Sequence, residues 1–170
     1  MKKILKVIFI ILIFATFVVT FGFSGQEGTE STGISRTLTL YILNIFGEYQ
    51  EPLSTEEFQL VLEVEHIIRK IAHFSIYTFL GFCLMGFMSM FKMSRKLKIG
   101  ASLGVGILYA CLDEFHQSFI PGRTALIGDI FIDTAGVITG IIIMSIFICI
   151  YHKIRKKRQE KQTKVQIDNN

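Results

Sequence analysis

The hydrophobic positions fall into four long runs separated by polar segments. The first, Ile4 to Phe23, follows Lys2, Lys3 and Lys6. It exceeds the roughly 7 to 15 residues of a signal-peptide apolar region, and no A-x-A cleavage pattern follows, so it reads as an uncleaved first span. Residues 24–66 are polar and acidic and open on the turn-prone Ser24-Gly25-Gln26-Glu27-Gly28. Within them Ile34, Leu38, Tyr41, Ile42 and Ile45 recur at helical spacing. That stripe predicts a short amphipathic helix, lying on the membrane surface or packed on the outer ends of a bundle. Beyond Pro52, the run Ser54-Thr55-Glu56-Glu57 is a capping box in which Ser54 and Glu57 satisfy each other's free backbone donors. The helix it starts is predicted to run straight into the second span, Ile71 to Phe91.

The third run begins at Ile99 and is interrupted after Leu112 by Asp113 and Glu114. Fourteen residues cover about 21 Å, short of a hydrocarbon core of about 30 Å. The helix is therefore predicted to continue through the acidic pair to Phe119, before the Pro121-Gly122 turn. A fourth span covers Ile127 to Tyr151. The predicted fold is all-α: a polytopic membrane protein with four transmembrane helices and an extracytoplasmic amphipathic segment. Its parts are a first span (1–23), an acidic segment (24–66), a three-helix core (66–151) and a basic tail (152–170).

Composition agrees with this reading. Of 170 residues, 51% are apolar and 19% charged, with no Trp and two Pro, which excludes a disordered chain, a disulfide-stapled secreted domain and an ordinary soluble enzyme. Cys83, Cys111 and Cys149 each sit inside an apolar run without CxxC or His spacing, and read as small core- or lipid-facing side chains. Charge sets the orientation. Fourteen of 18 Lys and Arg lie on the amino end, the 92–98 loop and the tail, and 12 of 14 Asp and Glu lie on the opposite side. The positive-inside rule then places both termini in the cytoplasm. The tail is expected to stop transfer and to contact anionic membrane lipids, and no nucleic-acid partner is expected.

Against this background, polar residues in the outer halves of spans two to four stand out: Lys70, His73, Tyr77, Asp113, Glu114, His116, Gln117, Arg123, Asp129 and Asp133. A charged side chain at depth costs about 2.5 to 3.5 kcal/mol on insertion scales, so such a set persists only if its members pair or face water. Their spacing lets them do so. His66, Lys70, His73, Tyr77 and Gly81 form one helical stripe; Gly106, Ala110, Asp113 and Gln117 a second; Asp129, Asp133, Gly136 and Gly140 a third. Each runs from a polar outer end to a small-residue inner end, and small residues let helices approach closely. The stripes are therefore expected to face inward and converge on one outer pocket. The plain alternative is that they are interhelical hydrogen bonds holding the bundle together. Four carboxylates against the cations Arg69, Lys70 and Arg123 argue against that alternative, because one carboxyl must be protonated, hydrated or bound to a ligand. His73 set beside Asp113, Glu114 and His116 could complete a metal or proton-transfer site, yet the order Asp113-Glu114-x-His116 lacks the i, i+4 His pair of a zincin helix, so neither a metal nor any other cofactor is expected. No nucleophile elbow, P-loop or dinucleotide fingerprint occurs, and Ser118 has no base at helical spacing.

Three blocks in order, Lys70-x-x-His73-Phe74-x-x-Tyr77-x-x-Leu80-Gly81, Asp113-Glu114-x-x-Gln117-x-Phe119-x-Pro121-Gly122-Arg123 and Asp129-x-x-x-Asp133-x-x-Gly136-x-x-x-Gly140, resemble the VanZ-like family. The resemblance covers residues 66 to 150. At the position of Asp133 the family pattern carries Asn, so the site here is more acidic. The resemblance implies a multi-helix protein of the bacterial cytoplasmic membrane, and for the family's founding member an association with low-level teicoplanin resistance. It assigns no biochemical activity.

The leading expectation is a binding or envelope-modulating protein whose outer pocket engages a lipid head group or lipid-linked envelope precursor. Arg123 and Lys70 would serve phosphate or carboxylate, and Asp113, Glu114 and Asp129 would accept from sugar or ammonium groups. The alternative is an intramembrane acid/base enzyme drawing on His73, Asp113, Glu114 and His116. A weaker one is a proton-coupled transporter, for which four spans are few unless the chain forms a homo-oligomer.

Overall fold

The computed structural model describes residues 2–25, 28–47, 54–121 and 126–168, with side chains for 3–25, 36–45, 47, 54–121 and 126–162. Pro52, Gly122 and Arg123 lie outside the described residues. Five helices and no strand run through those described: α1 (Lys2–Ser24), α2 (Gly28–Phe46), α3 (Thr55–Ser89), α4 (Arg95–Gln117) and α5 (Ile127–Asp168).

The helix starts follow from local chemistry. At α3 the capping box closes as expected: the Ser54 N–H donates to Glu57 Oε2 at 2.8 Å and the Glu57 N–H donates to Ser54 Oγ at 3.3 Å. From there α3 runs 35 residues without a break into the apolar stretch. The Ser94 hydroxyl caps α4 by accepting from the Leu97 N–H at 3.3 Å. Helix α4 passes through Asp113-Glu114 but stops at Gln117, two residues short of the predicted Phe119. There the Phe119 and Ile120 amides turn back to the carbonyls of His116 and Gln117, three residues behind, which is how a helix end tightens.

The fourth helix runs well past the expected span, which ends at Tyr151: α5 continues to Asp168, 42 residues in all and so about 63 Å long. No Gly or Pro occurs after residue 140, and Lys, Arg, Glu and Gln are good helix formers. The basic tail thus continues the helix, exposed on every side from Tyr151 to Gln162.

Three helices, α1, α3 and α5, are long and apolar enough to cross a membrane. Helix α4 is diluted by Arg95, Lys96 and Lys98 at its start and Asp113 and Glu114 near its end. Large apolar side chains such as Ile4, Ile11, Phe14, Phe131 and Phe147 point outward. A surface of this kind suits hydrocarbon rather than water. The core lies between α3, α4 and α5, where Tyr77, Leu80, Leu84, Met85, Ala110, Val137, Ile141 and Met144 form one cluster, with Phe9, Ile13 and Phe17 of α1 against it. Glycines bring α3 and α5 together. A Cβ at Gly140 would land on the Thr78 carbonyl oxygen, and one at Gly81 on the Val137 backbone. Only the absence of side chains at these points permits such contact.

Helix α2 packs on α3. Of its apolar stripe, Leu38, Tyr41 and Ile45 are exposed and Ile42 is half-buried, whereas Thr39 is buried and Arg36 lies over the Phe58 ring at 5.4 Å. The helix docks on the bundle through its polar side and turns its apolar side outward.

Candidate functional site

Beyond the glycine contacts, α3, α4 and α5 separate around a cavity of about 100 Å³. It is lined by His66, Arg69, Lys70 and His73 from α3, Glu114 and Gln117 from α4, and Leu126, Asp129, Ile132 and Asp133 at the start of α5. A water needs about 10 to 15 Å³ on this measure, so the space admits several waters or a small polar group.

The residues occupy levels set by helical spacing. At the mouth, the Leu126 N–H donates to Glu114 Oε1 at 2.6 Å, so a carboxylate of α4 meets the amide at the start of α5. Asp129 lies in the first turn of the same helix. Carboxylates are favoured there because the first amides of a helix lack internal partners and carry its positive dipole end. Lys70 Nζ stands 3.5 Å from Asp129 Oδ1, both partly exposed. Arg69 has Glu65 beside it, and Glu65, 1% exposed, also lies near Arg36 of α2.

One turn deeper the side chains are more buried. His73 Nδ1 is 3.5 Å from Asp133 Oδ1. Gln117 Nε2 donates to Asp113 Oδ2 at 3.1 Å and to the Ser24 hydroxyl of α1 at 3.3 Å. Asp133 and Asp113 are only 1% and 3% exposed, and the Tyr77 hydroxyl lies beside both. Among the described residues, neither Asp133 oxygen, nor Asp113 Oδ1, nor the Tyr77 hydroxyl makes a hydrogen bond of good geometry. A buried polar group left so costs about 1 to 3 kcal/mol, and more when charged. His73, Asp113 and Asp133 each offer one atom, and the three lie within 4.8 Å of one another.

The structure thus brings Lys70, His73, Glu114, Gln117, Asp129 and Asp133 to one cavity, with Tyr77 and Asp113 at its floor. His116 is elsewhere, tilted against the Phe21 ring of α1 at 4.2 Å. Of the set His73, Asp113, Glu114 and His116, the structure groups His73 and Asp113 with Asp133 instead, so that α3, α4 and α5 supply one potential ligand each. Ser24 was not anticipated. Its signal was legible: Thr16, Thr20 and Ser24 recur every four residues in an otherwise apolar run, and all three are buried. Helix α1 belongs to the same assembly, with the Tyr109 hydroxyl donating to the Phe17 carbonyl at 2.8 Å and the two rings stacked at 4.1 Å.

The profile of the VanZ/LLP1 family matches residues 9–148, from within α1 to the packed portion of α5. No curated protein matches the chain. No solved structure matches it either. The match extends the 66–150 resemblance back over α1, whose Ser24 and Phe17 join the site and core, and three helices able to cross a membrane fit a membrane protein of this family. The chain belongs to the VanZ/LLP1 family.

Proposed function

We propose that this chain is a four-span bundle of the bacterial cytoplasmic membrane, with α4 as the fourth span and both ends of the chain cytoplasmic, that binds a polar head group of an envelope lipid or lipid-linked precursor. The observation that carries the reading is the cavity itself. Arg69 and Lys70 stand at its mouth and carboxylates line its floor, a mixed set that suits a ligand bearing both phosphate and hydroxyl or ammonium groups. Arg123, three residues before the lining residue Leu126 in sequence, would add a forked donor. Through such binding the protein would modulate glycopeptide susceptibility of the teicoplanin type. Lys70→Ala, Arg123→Ala and Asp113→Ala, at equal protein level in a bacterial host, are expected to shift teicoplanin susceptibility. Unchanged susceptibility in all three would count against this function.

A second reading rests on the 3.5 Å approach of His73 to Asp133, an arrangement that could orient a general base. It requires turnover. Purified protein given labelled lipid-linked precursor would yield a product that the His73→Ala variant does not form.

A further inference from the structure

We propose that His73, Asp113 and Asp133 form a binding site for a divalent transition-metal cation, of the Zn2+ or Mn2+ type, at the floor of the cavity. The site goes beyond the head-group reading and does not depend on it. Two ligands held about 2.0 to 2.2 Å from one tetrahedral ion lie about 3.4 Å apart. His73 Nδ1 and Asp133 Oδ1 are 3.5 Å apart, and all three donor atoms fall within 4.8 Å.

Charge supports the same site. Lys70 is engaged with Asp129, Arg69 has Glu65 beside it, and Glu114 accepts from the start of α5. Among the described residues, Asp113 and Asp133 are buried together beside one imidazole, and two carboxylates balance a divalent ion. Buried charges in proteins are paired or coordinate metals.

An independent observation points into the cluster. The Tyr77 hydroxyl, 1% exposed, lies beside Asp113 and Asp133 and, among the described residues, makes a hydrogen bond of good geometry with neither. Gln117 fixes Asp113 through Oδ2 and leaves Oδ1 without a partner, the kind of outer hydrogen bond that orients metal-binding carboxylates. One imidazole with two carboxylates suits Zn2+ or Mn2+, whereas Mg2+ and Ca2+ favour oxygen ligands alone. Because His73 and Asp133 line the cavity, the ion's remaining position opens onto it.

The test uses the full chain in detergent, stripped with chelator and dialysed against Zn2+, Mn2+, Mg2+ or Ca2+. Bound metal is then measured by mass spectrometry and thermal stability is recorded. Wild type is expected to retain a single equivalent of Zn2+ or Mn2+ and to melt higher with it. Asp133→Asn and His73→Ala should each lose retention and the thermal shift. Asp133→Asn removes a buried charge, so the stripped variant should be at least as stable as stripped wild type, which separates lost binding from misfolding. Gln117→Leu should weaken affinity about 10- to 100-fold. Wild type that retains neither ion, that prefers Mg2+ or Ca2+, or that binds no better than Asp133→Asn overturns the proposal. No lipid is present in this measurement, so a failed head-group reading leaves it untouched, and absence of metal leaves the susceptibility test untouched.

Discussion

At the level of Gly81 and Gly140, helices α3 and α5 touch backbone to backbone; about 11 to 12 Å further along their axes, at His73 and Asp133, they stand apart around a polar cavity. The two ends belong to the same stripes, and what distinguishes them is side-chain size and polarity. Glycine removes the spacer, and dispersion between close backbones holds the helices where hydrocarbon supplies no hydrophobic drive. Imidazole, amide and carboxyl groups keep the helices apart and leave buried polar atoms without partners. Stability is thus concentrated at one end, and unmet chemical demand at the other.

The sharpest way to break this comparison is to give the tight end a spacer. In Gly140→Ala the new methyl meets the Thr78 carbonyl oxygen and the Phe82 amide nitrogen, both backbone atoms that cannot rotate away. Overpacking of this kind costs about 1 to 3 kcal/mol. The variant is expected to show the largest fall in melting temperature in detergent; an unchanged melting curve would show that the glycine contact does not anchor the bundle. The next largest effect belongs to the link between α1 and the cavity. Ser24→Ala removes one of the two acceptors of Gln117 Nε2, at about 1 kcal/mol for a typical hydrogen bond. Its expected signature is a small fall in melting temperature, with a changed environment at a probe near α1. A stability equal to wild type would assign α1 to packing alone. The smallest effect is at the cap. Ser54→Ala opens the capping box, and faster amide exchange is expected in the first turn of α3, with the melting temperature little changed. Exchange altered as far as His73 would join the two ends into one cooperative unit.

Much of this arrangement was legible because a helix repeats every 3.6 residues. The three stripes, the capping box at Ser54 and the passage of α4 through Asp113-Glu114 are all local consequences of spacing. Spacing predicts that the three stripes converge; what it cannot supply is which of their atoms meet. His73, Asp113 and Asp133 lie on three different stripes, and their approach to within 4.8 Å is set only once α3, α4 and α5 are packed. Direction is also lost. The stripe of Leu38, Tyr41 and Ile45 identifies an amphipathic helix but does not say which side faces the bundle, and here the buried Thr39 side does. His116 shows the same limit, because one residue's rotation round α4 sends it to Phe21 rather than into the cavity with Gln117. Ser24 was readable but overshadowed, since three hydroxyls in α1 barely alter the hydrophobicity of a strongly apolar run.

The unbroken course of α5 has a mechanical consequence. From Asp133 to Gln162 the helix spans 29 steps, about 44 Å, with no proline to absorb bending. Were so long a rod to tilt about the Gly136–Gly140 contact, its arms would differ greatly in length. Each degree of tilt would move Asp133 by about 0.1 Å and Gln162 by about 0.6 Å, so a small displacement at the cavity floor would be enlarged several-fold at the far end of the rod.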